Sequence, residues 1–297
     1  MLNFETHLTQ TLKRHVQHPG IYMAMDYAVM PPGKLFRPRL LEAVCADLKV
    51  TSQKDILTLG CALEIHHAYT LVHDDMPCMD NDLTRRGKPT THVAFGQWQA
   101  LLTGDVLLAL SYAELEKLQT SAAPFIRRLF HWATGAKGLI LGQWIDLGHE
   151  GNKNAHLLMR MHELKTARLM QIATTGALAL SNPKFNLKDL KRFLSLGNSI
   201  GLAFQLLDDL DDLCADILSD HEKAVNPFLQ APHEVRLRLT HVLEILEQEK
   251  LPETRKFLEA FLKKSAKGLI ENQNKWSIHL PTEKAALVKL LTSGICA

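Results

Sequence analysis

Apolar residues return along this chain every three or four positions, the period of a helix with one face turned to a core, whereas the strict alternation of a half-buried strand is nearly absent. The spacing predicts helices over residues 2–17, 37–48, 53–76, 98–119, 124–147, 155–180, 187–216, 233–249, 253–270 and 282–293. Pro19-Gly20, Pro31-Pro32-Gly33, Gly87-Lys88-Pro89, Gly148 to Gly151 and Asn182-Pro183 punctuate the series. None of these breaks is long enough to be a domain linker, so the expected fold is all-α, one domain over residues 1–297. Gly135, Gly138 and Gly142 share one side of the helix predicted over 124–147. Glycine there costs helix propensity but admits a neighbouring helix or a ligand, and close packing is the simpler reason. No short repeat period supports a solenoid.

Composition narrows the class without naming a function. With 297 residues, 46% of them hydrophobic, the chain can bury a large core, near the upper size for a single one. A formal charge of +2 gives no reason to expect a nucleic-acid partner. The five cysteines, Cys45, Cys61, Cys78, Cys214 and Cys296, form no CxxC pair, which fits a reducing compartment better than a disulfide framework. The start, MLNFETHLTQ, has neither the basic nor the apolar region of a signal peptide, and no apolar run reaches membrane-spanning length. The expectation is a cytoplasmic protein.

Two predicted helices carry charges out of keeping with their apolar surroundings. One ends in DDMPCMD, with Asp74, Asp75 and Asp80; the other contains DDLDD, with Asp208, Asp209 and Asp212. Carboxylates flanked by Phe204, Leu206, Leu207, Leu210 and Leu213 repel one another and cannot all face water, so something positive belongs between them. Oxygen-only ligand sets suit hard cations, and Mg²⁺ is commonly held by a few carboxylates together with substrate phosphates. Gln205, Asp208, Asp209 and Asp212 fall at i, i+3, i+4 and i+7, a single polar stripe on an apolar rod. His67, Thr70, Leu71 and Asp74 repeat that spacing on the earlier helix. Pro77 perturbs that helix and lets Asp80 turn back toward Asp74, although six helical residues would carry it roughly 9 Å along the axis.

Cations accompany both clusters. PPGKLFRPRL supplies Lys34, Arg37 and Arg39 before the first cluster, TRRGKPT supplies Arg85, Arg86 and Lys88 after it, and Lys165 and Lys223 extend the set. Guanidinium forks match phosphate oxygens, which points to a diphosphate as the third party. For Arg39 and Lys88, charge balance explains their presence as well as function does. His73 reads as a histidine hydrogen-bonded nearby, and with no HExxH a zinc site at His66-His67, or at His149 and His156, has little support. Arg255, Lys256, Lys263, Lys264 and Lys267 alternate with Phe257, Leu258, Phe261 and Leu262, the pattern of a solvated amphipathic helix.

In order and spacing, GKLFRP, HHAYTLVHDDMPCMDNDLTRRGKPTTH, GQWIDL, KTARL and GLAFQLLDDLDD resemble the trans-prenyl (polyprenyl) diphosphate synthases, most closely the bacterial farnesyl diphosphate synthases. The likeness covers about Lys34 to Pro227. It implies an antiparallel helical bundle of the isoprenoid synthase type with a central cavity. It also implies condensation of isopentenyl diphosphate with an allylic diphosphate, dimethylallyl and then geranyl, to give farnesyl diphosphate. Asp74, Asp75, Asp80, Asp208, Asp209 and Asp212 would bind Mg²⁺, three ions per site with substrate bound, with Mn²⁺ as a substitute. Arg85, Lys165 and Lys223 would clamp the allylic diphosphate, and Lys34, Arg37, His67 and Arg86 would hold isopentenyl diphosphate. Thr166 and Gln205 would face the allylic cation, and the released diphosphate would take the proton. A homodimer is expected, with helix 98–119 a contributor to its contact.

Product length rests on Tyr69, five residues before Asp74 and large enough to floor an apolar tunnel; a bulky residue there goes with short products in the resembling family. Geranylgeranyl diphosphate synthase is the alternative, and a terpene cyclase or a non-catalytic partner subunit lies further off, because the cyclase needs no second diphosphate site and a partner subunit erodes its aspartates. Three departures from the family pattern stand out. The segment CADILSDHEK before Lys223 is short, the tail LLTSGICA lacks basic residues, and Ala167 and Arg168 stand where glycine is common. Arg168 there either adds an anion contact or crowds the pocket.

Overall fold

Side-chain caps set where several of the helices begin, and the apolar stripe decides what each one buries. The computed structural model describes residues 2–14, 16–150, 155–214, 223, 226–248, 250–280, 282–283 and 286–289. Its helices are α1 Phe4–Arg14, α2 Pro19–Val29, α3 Phe36–Asp47, α4 Gln53–Asp74, α5 Thr91–Phe95, α6 Gln97–Leu115, α7 Ala123–Thr134, α8 Leu139–Leu147, α9 Ala155–His162, α10 Arg168–Ser181 and α11 Leu187–Asp212. Helices Pro227–Gln230, Pro232–Gln248, Pro252–Glu271 and Gln273–Trp276 follow. The architecture is all-α, as the periodicity predicts. The chain forms two compact units, residues 1–128 with 176–185, and residues 129–175 with 186–297.

In the first unit α4 is the central rod, packed mainly on α6 and α3. It is buried around most of its circumference, with Leu59, Leu63 and Ile65 fully enclosed; each such side chain contributes roughly 1.5–3 kcal/mol. Ser52 starts it: its hydroxyl accepts from the Asp55 amide at 3.3 Å and donates to Asp55 Oδ2 at 2.7 Å. Asp55 Oδ1 in turn accepts from the Gln119 amide at 2.8 Å, pinning the end of the α6 segment. Helix α2, the short helix α5 and a hairpin here escape the pattern of spacing. Pro19-Gly20 opens α2 rather than breaking the chain, because proline at the first helical position gives up an amide that has no partner there, and His18 Nδ1 accepts from Gly20 N–H at 3.2 Å. Thr84–Arg85 (β1) and Lys88–Pro89 (β2) pair antiparallel as a short hairpin.

In the second unit α11 is the long rod, capped by Asn186 on the Asp189 amide at 2.9 Å. Helices Pro232–Gln248 and Pro252–Glu271 pack along it, and Phe204 stacks on Phe261 at 5.1 Å. The basic residues from Arg255 to Lys267 face solvent, as the alternation predicts. The helix predicted over 124–147 is two helices, α7 and α8. Gly138 sits at φ −135° and ψ −123°, and a Cβ there would lie 1.9 Å from the Ala133 carbonyl oxygen, so the glycines at 135 and 138 end one helix and open the next. The packing expected of these glycines holds at Gly142, where a Cβ would approach the Lys165 amide nitrogen to 2.6 Å. The helix predicted over 155–180 is likewise interrupted, by a π-turn at Glu163–Ala167. Of the helix predicted over 282–293, residues 286–289 are helical; 284–285 and 290–293 lie outside the described residues. So do Gly151, residues 215–222 of the short segment before Lys223, and residues 291–297 of the tail.

Candidate active site

The first unit gathers one set of candidate residues at the C-terminal end of α4. That helix stops at Asp74, with Asp75 as its cap. Pro77 cannot continue it, and the chain folds back so that the Asp80 amide donates to the Asp74 carbonyl at 2.9 Å. Asp80 therefore returns to Asp74. Asp75 takes another direction: it is buried, and its Oδ1 accepts from Arg85 Nε at 2.6 Å, while Arg85 Nη2 also reaches Asp82 at 2.9 Å. Burial raises the Asp75 pKa and the Arg85 guanidinium works against that rise.

The hairpin β1–β2 presents Arg85 and Arg86. Its two turn residues, Arg86 and Gly87, have φ of 54° and 75°, the paired left-handed conformations of a type I′ turn. The Arg86 guanidinium rests on Gly33, where a Cβ would come within 2.7 Å of Nη2. The α4 residue His67 lies in the field of the same cations: burial first, then Arg37, Arg86 and Arg85, hold its pKa well below the ordinary value, so it is a neutral imidazole. Glu64, one turn earlier and buried, has its pKa raised by burial and opposed by Arg37 and Arg86. The structure thus brings Arg37, His67, Arg85 and Arg86 together, and adds Glu64, whose i, i+3 spacing to His67 was the available signal. Lys34 is exposed beside Gly33.

Two cations are structural. Lys88 Nζ donates to the carbonyls of Tyr27 at 2.6 Å and Met30 at 3.3 Å, at the end of α2, and lies 4.1 Å over the Tyr27 ring. Arg39 ties Leu2 O at 2.9 Å to Glu42 at 2.7 Å. His73 Nε2 meets the Leu101 carbonyl at 3.1 Å, the hydrogen-bonded role expected of it. Tyr69 is buried, its ring edge-on to His66 at 4.5 Å and to His73 at 5.7 Å.

The second unit gathers the other set. In the π-turn, Lys165 Nζ pairs with Asp146 of α8 at 2.6 Å, and the Thr166 hydroxyl donates to Gln205 Oε1 at 2.5 Å. Gln205 Nε2 donates to Asp209 Oδ1 at 2.9 Å. Along α11, Asp208 and Asp212 are exposed while Asp209 is buried, so the stripe of three carboxylates divides. Burial raises the Asp209 pKa well above the usual carboxylate range, Asp212 and Asp146 add to the rise, and Gln205 opposes it. Three further residues touch this set: Asp146 at Lys165, Asn226, whose Nδ2 donates to the Asp209 carbonyl at 2.7 Å, and His162, whose Nδ1 lies 4.0 Å from Asp209 Oδ2. Asp146 lies one helical turn after Gly142 within the GQWIDL run, whereas His162 and Asn226 carry no local signal. Arg168, expected either to add an anion contact or to crowd the pocket, has partners of its own in the protein. It is buried, 4.0 Å over the Trp132 ring, donating to Gln171 at 2.8 Å and to the Lys137 carbonyl at 3.4 Å, and so braces the break between α7 and α8. Lys223 is exposed, its carbonyl accepting from Gln230 at 3.0 Å.

Comparisons with known proteins define the fold and the family. The helical architecture is the all-α isoprenoid synthase fold. A family model described as polyprenyl synthetase matches residues 18–276, and the chain belongs to that family. It is 40% identical over 211 residues to a geranylgeranyl diphosphate synthase of Cyanophora paradoxa, 68% of this chain and 67% of that protein. It is 37% identical over 198 residues to a farnesyl diphosphate synthase of Bacillus subtilis, 64% of this chain and 65% of that protein. A geranyltransferase of Helicobacter pylori, solved as a complex with magnesium and isoprenyl diphosphate, superposes with a TM-score of 0.73 at 27% identity, covering 88% of this chain and 95% of that one. Several curated relatives are matched over little more than half their length, 53% to 57%.

Proposed function

We propose that this protein is a trans-prenyl diphosphate synthase that joins isopentenyl diphosphate to an allylic diphosphate, dimethylallyl and then geranyl, and releases farnesyl diphosphate. The observation that carries this reading is the group of Arg37, His67, Arg85 and Arg86 beside the Asp74 end of α4. A cation cluster with a neutral imidazole beside a metal-type aspartate motif suits a second diphosphate, which a terpene cyclase does not need. Lys34, Arg37, His67 and Arg86 would hold isopentenyl diphosphate; Arg85, Lys165 and Lys223 would hold the allylic one.

The carboxylates fit Mg²⁺. They are oxygen donors, Asp74 and Asp80 are drawn together by the backbone, and Asp208 and Asp212 share one exposed helical face. Among the described residues no group of three or more His, Cys, Asp or Glu is arranged to hold a metal alone, so phosphate oxygens would complete the shell. Asp74, Asp80, Asp208 and Asp212 are the ligands we propose, for three ions per site, with Mn²⁺ able to substitute; Asp75 and Asp209, also expected as ligands, are buried and turned to Arg85 and Gln205. Bound Mg²⁺ would neutralise charge developing on the departing diphosphate. Lys165, held by Asp146, adds a fixed positive charge there. Thr166 and Gln205 orient oxygens towards the allylic carbon, and positioning both substrates replaces a bimolecular encounter with a local one. The released diphosphate accepts the proton.

For the product, the bulk of Tyr69 on α4 favours farnesyl diphosphate; the identity to a geranylgeranyl diphosphate synthase favours the longer product as the second reading. We take residues 1–297 as one synthase domain, a reading supported by the single family match running through residues 18–276. No helix among the described residues is long and apolar enough to cross a membrane, and we place the protein in the cytoplasm as a homodimer. The experiment is incubation with dimethylallyl or geranyl diphosphate plus isopentenyl diphosphate, with and without chelator, followed by product chromatography. Farnesyl diphosphate formed only without chelator supports the reading. A hydrocarbon from farnesyl diphosphate alone, or activity gained only with a second protein, overturns it.

A further inference from the structure

We propose that Asp209 is a positioning residue, not a metal ligand: it fixes the Gln205 amide and, through it, the direction of the Thr166 hydroxyl. The inference rests on the synthase reading above, since it assigns Thr166 a place facing the allylic carbon.

The geometry is a relay with one direction. Asp209 is 5% exposed, while its neighbours Asp208 and Asp212 on α11 face solvent. Its Oδ1 accepts from Gln205 Nε2 at 2.9 Å, and Gln205 Oε1 accepts from the Thr166 hydroxyl at 2.5 Å. Asp209 Oδ2 has no hydrogen bond and lies 4.0 Å from His162 Nδ1, turned into the protein. The Asp209 carbonyl accepts from Asn226 Nδ2 at 2.7 Å, and Asn226 Oδ1 accepts from the Phe228 amide at 3.1 Å, which locks this turn of α11 to the segment after it.

A glutamine amide has a donor end and an acceptor end, and nothing in its shape says which goes where. The acceptor on Asp209 draws the NH₂ end to itself, which leaves Oε1 for Thr166. Thr166 has one proton; once it is donated to Oε1, only lone pairs remain on Oγ for whatever stands in front of it. An allylic cation is stabilised by lone pairs and repelled by the positive end of an O–H dipole. Without the acceptor at 209 the amide is free to flip, Thr166 accepts from NH₂ instead, and its O–H points outward.

Asparagine at 209 keeps an oxygen that can accept from Gln205; leucine keeps the volume and removes it. Asp209→Asn should leave the Mg²⁺ midpoint for binding inorganic pyrophosphate, measured calorimetrically, within about twofold, and lower kcat by no more than about tenfold. Asp209→Leu should lower kcat about 100-fold, with KM for both diphosphates within about threefold. Gln205→Leu should match it, and the double variant should fall no further. A rise of about tenfold or more in the Mg²⁺ midpoint for Asp209→Asn would make Asp209 a ligand and overturn the proposal. Full kcat in Asp209→Leu, or additive losses in the double variant, would overturn it too. Thermal melting checks folding; if the leucine variant does not fold, Asp209→Asn against Gln205→Leu still decides. Wild-type protein that binds Mg²⁺ and pyrophosphate without condensing the substrates refutes the synthase reading, and the Asp209→Asn binding comparison still judges the residue.

Discussion

At the scale of single residues, two side chains make quantitative demands. Gly33 leaves room for the Arg86 guanidinium: a methyl group there would stand 2.7 Å from Nη2, well inside contact distance. Gly33→Ala should therefore displace Arg86 and raise KM for isopentenyl diphosphate by about tenfold, roughly one lost charge-assisted hydrogen bond, with a smaller change in kcat. Steady-state kinetics with each diphosphate varied in turn checks it, and an equal rise in KM for both substrates would count against the assignment. His66 makes the other demand. Burial lowers its pKa to about 3, and its Nδ1 meets Ser111 Oγ at 3.0 Å. The unfolded imidazole takes a proton near pH 6.5 and the folded one does not, so the folded state loses ground as pH falls from about 6.5 towards 3. The slope is at most about 1.4 kcal/mol per pH unit, and His66→Asn should remove that share of it in urea titrations between pH 6.5 and 4.5.

At the scale of elements, sequence spacing reads what is regular and misses what is exceptional. Helices α3, α4, α6 and α11 lie where apolar periodicity puts them, because each buries a continuous stripe. The π-turn escapes it: five residues of irregular backbone leave the apolar spacing of α9 and α10 nearly intact, yet they set the directions of Lys165 and Thr166. The hairpin escapes for a different reason, since two-residue strands are too short for alternation to register and only the Arg86-Gly87 pair marks the turn. Gly87 has open space around its Cβ position, so Gly87→Ala isolates the backbone effect: φ of 75° in a residue with a side chain costs about 1 kcal/mol. The melting temperature should fall by a few degrees, with KM for isopentenyl diphosphate rising as Arg86 loses its fixed direction. A variant with unchanged melting and unchanged KM would show that the turn does not hold the arginine.

At the scale of the whole molecule, the candidate residues were legible as two acidic clusters with attendant cations, because charge in an apolar helix is conspicuous in a sequence. Their division of labour was not. Equal spacing cannot tell buried Asp209 from exposed Asp208, nor show Asp75 turned to Arg85, since those differences come from helices packed on them from elsewhere in the chain. The same limit applies to assembly. Helix α6 was expected to contribute to a dimer on its apolar surface, and in the first unit Trp98, Leu101 and Leu102 are indeed exposed. They are joined by Ile21 and Met23 of α2, a helix the spacing did not predict, and a cavity of about 610 Å³ opens between the two helices. Trp98 is 67% exposed and Met23 60%, an unusual cost for a monomer in water and a suitable anchor pair for a second copy. Replacing Trp98 by Ala should cost about 2 kcal/mol of association, roughly 30-fold in the dimer dissociation constant. If the proposed homodimer forms through this face, the double variant Met23→Lys with Leu102→Asp should be monomeric by light scattering at concentrations where the wild type gives a dimer mass. Its helical circular dichroism should stay the same, because neither side chain supports the core. Dimers that persist in the double variant would move the interface off the α2–α6 face.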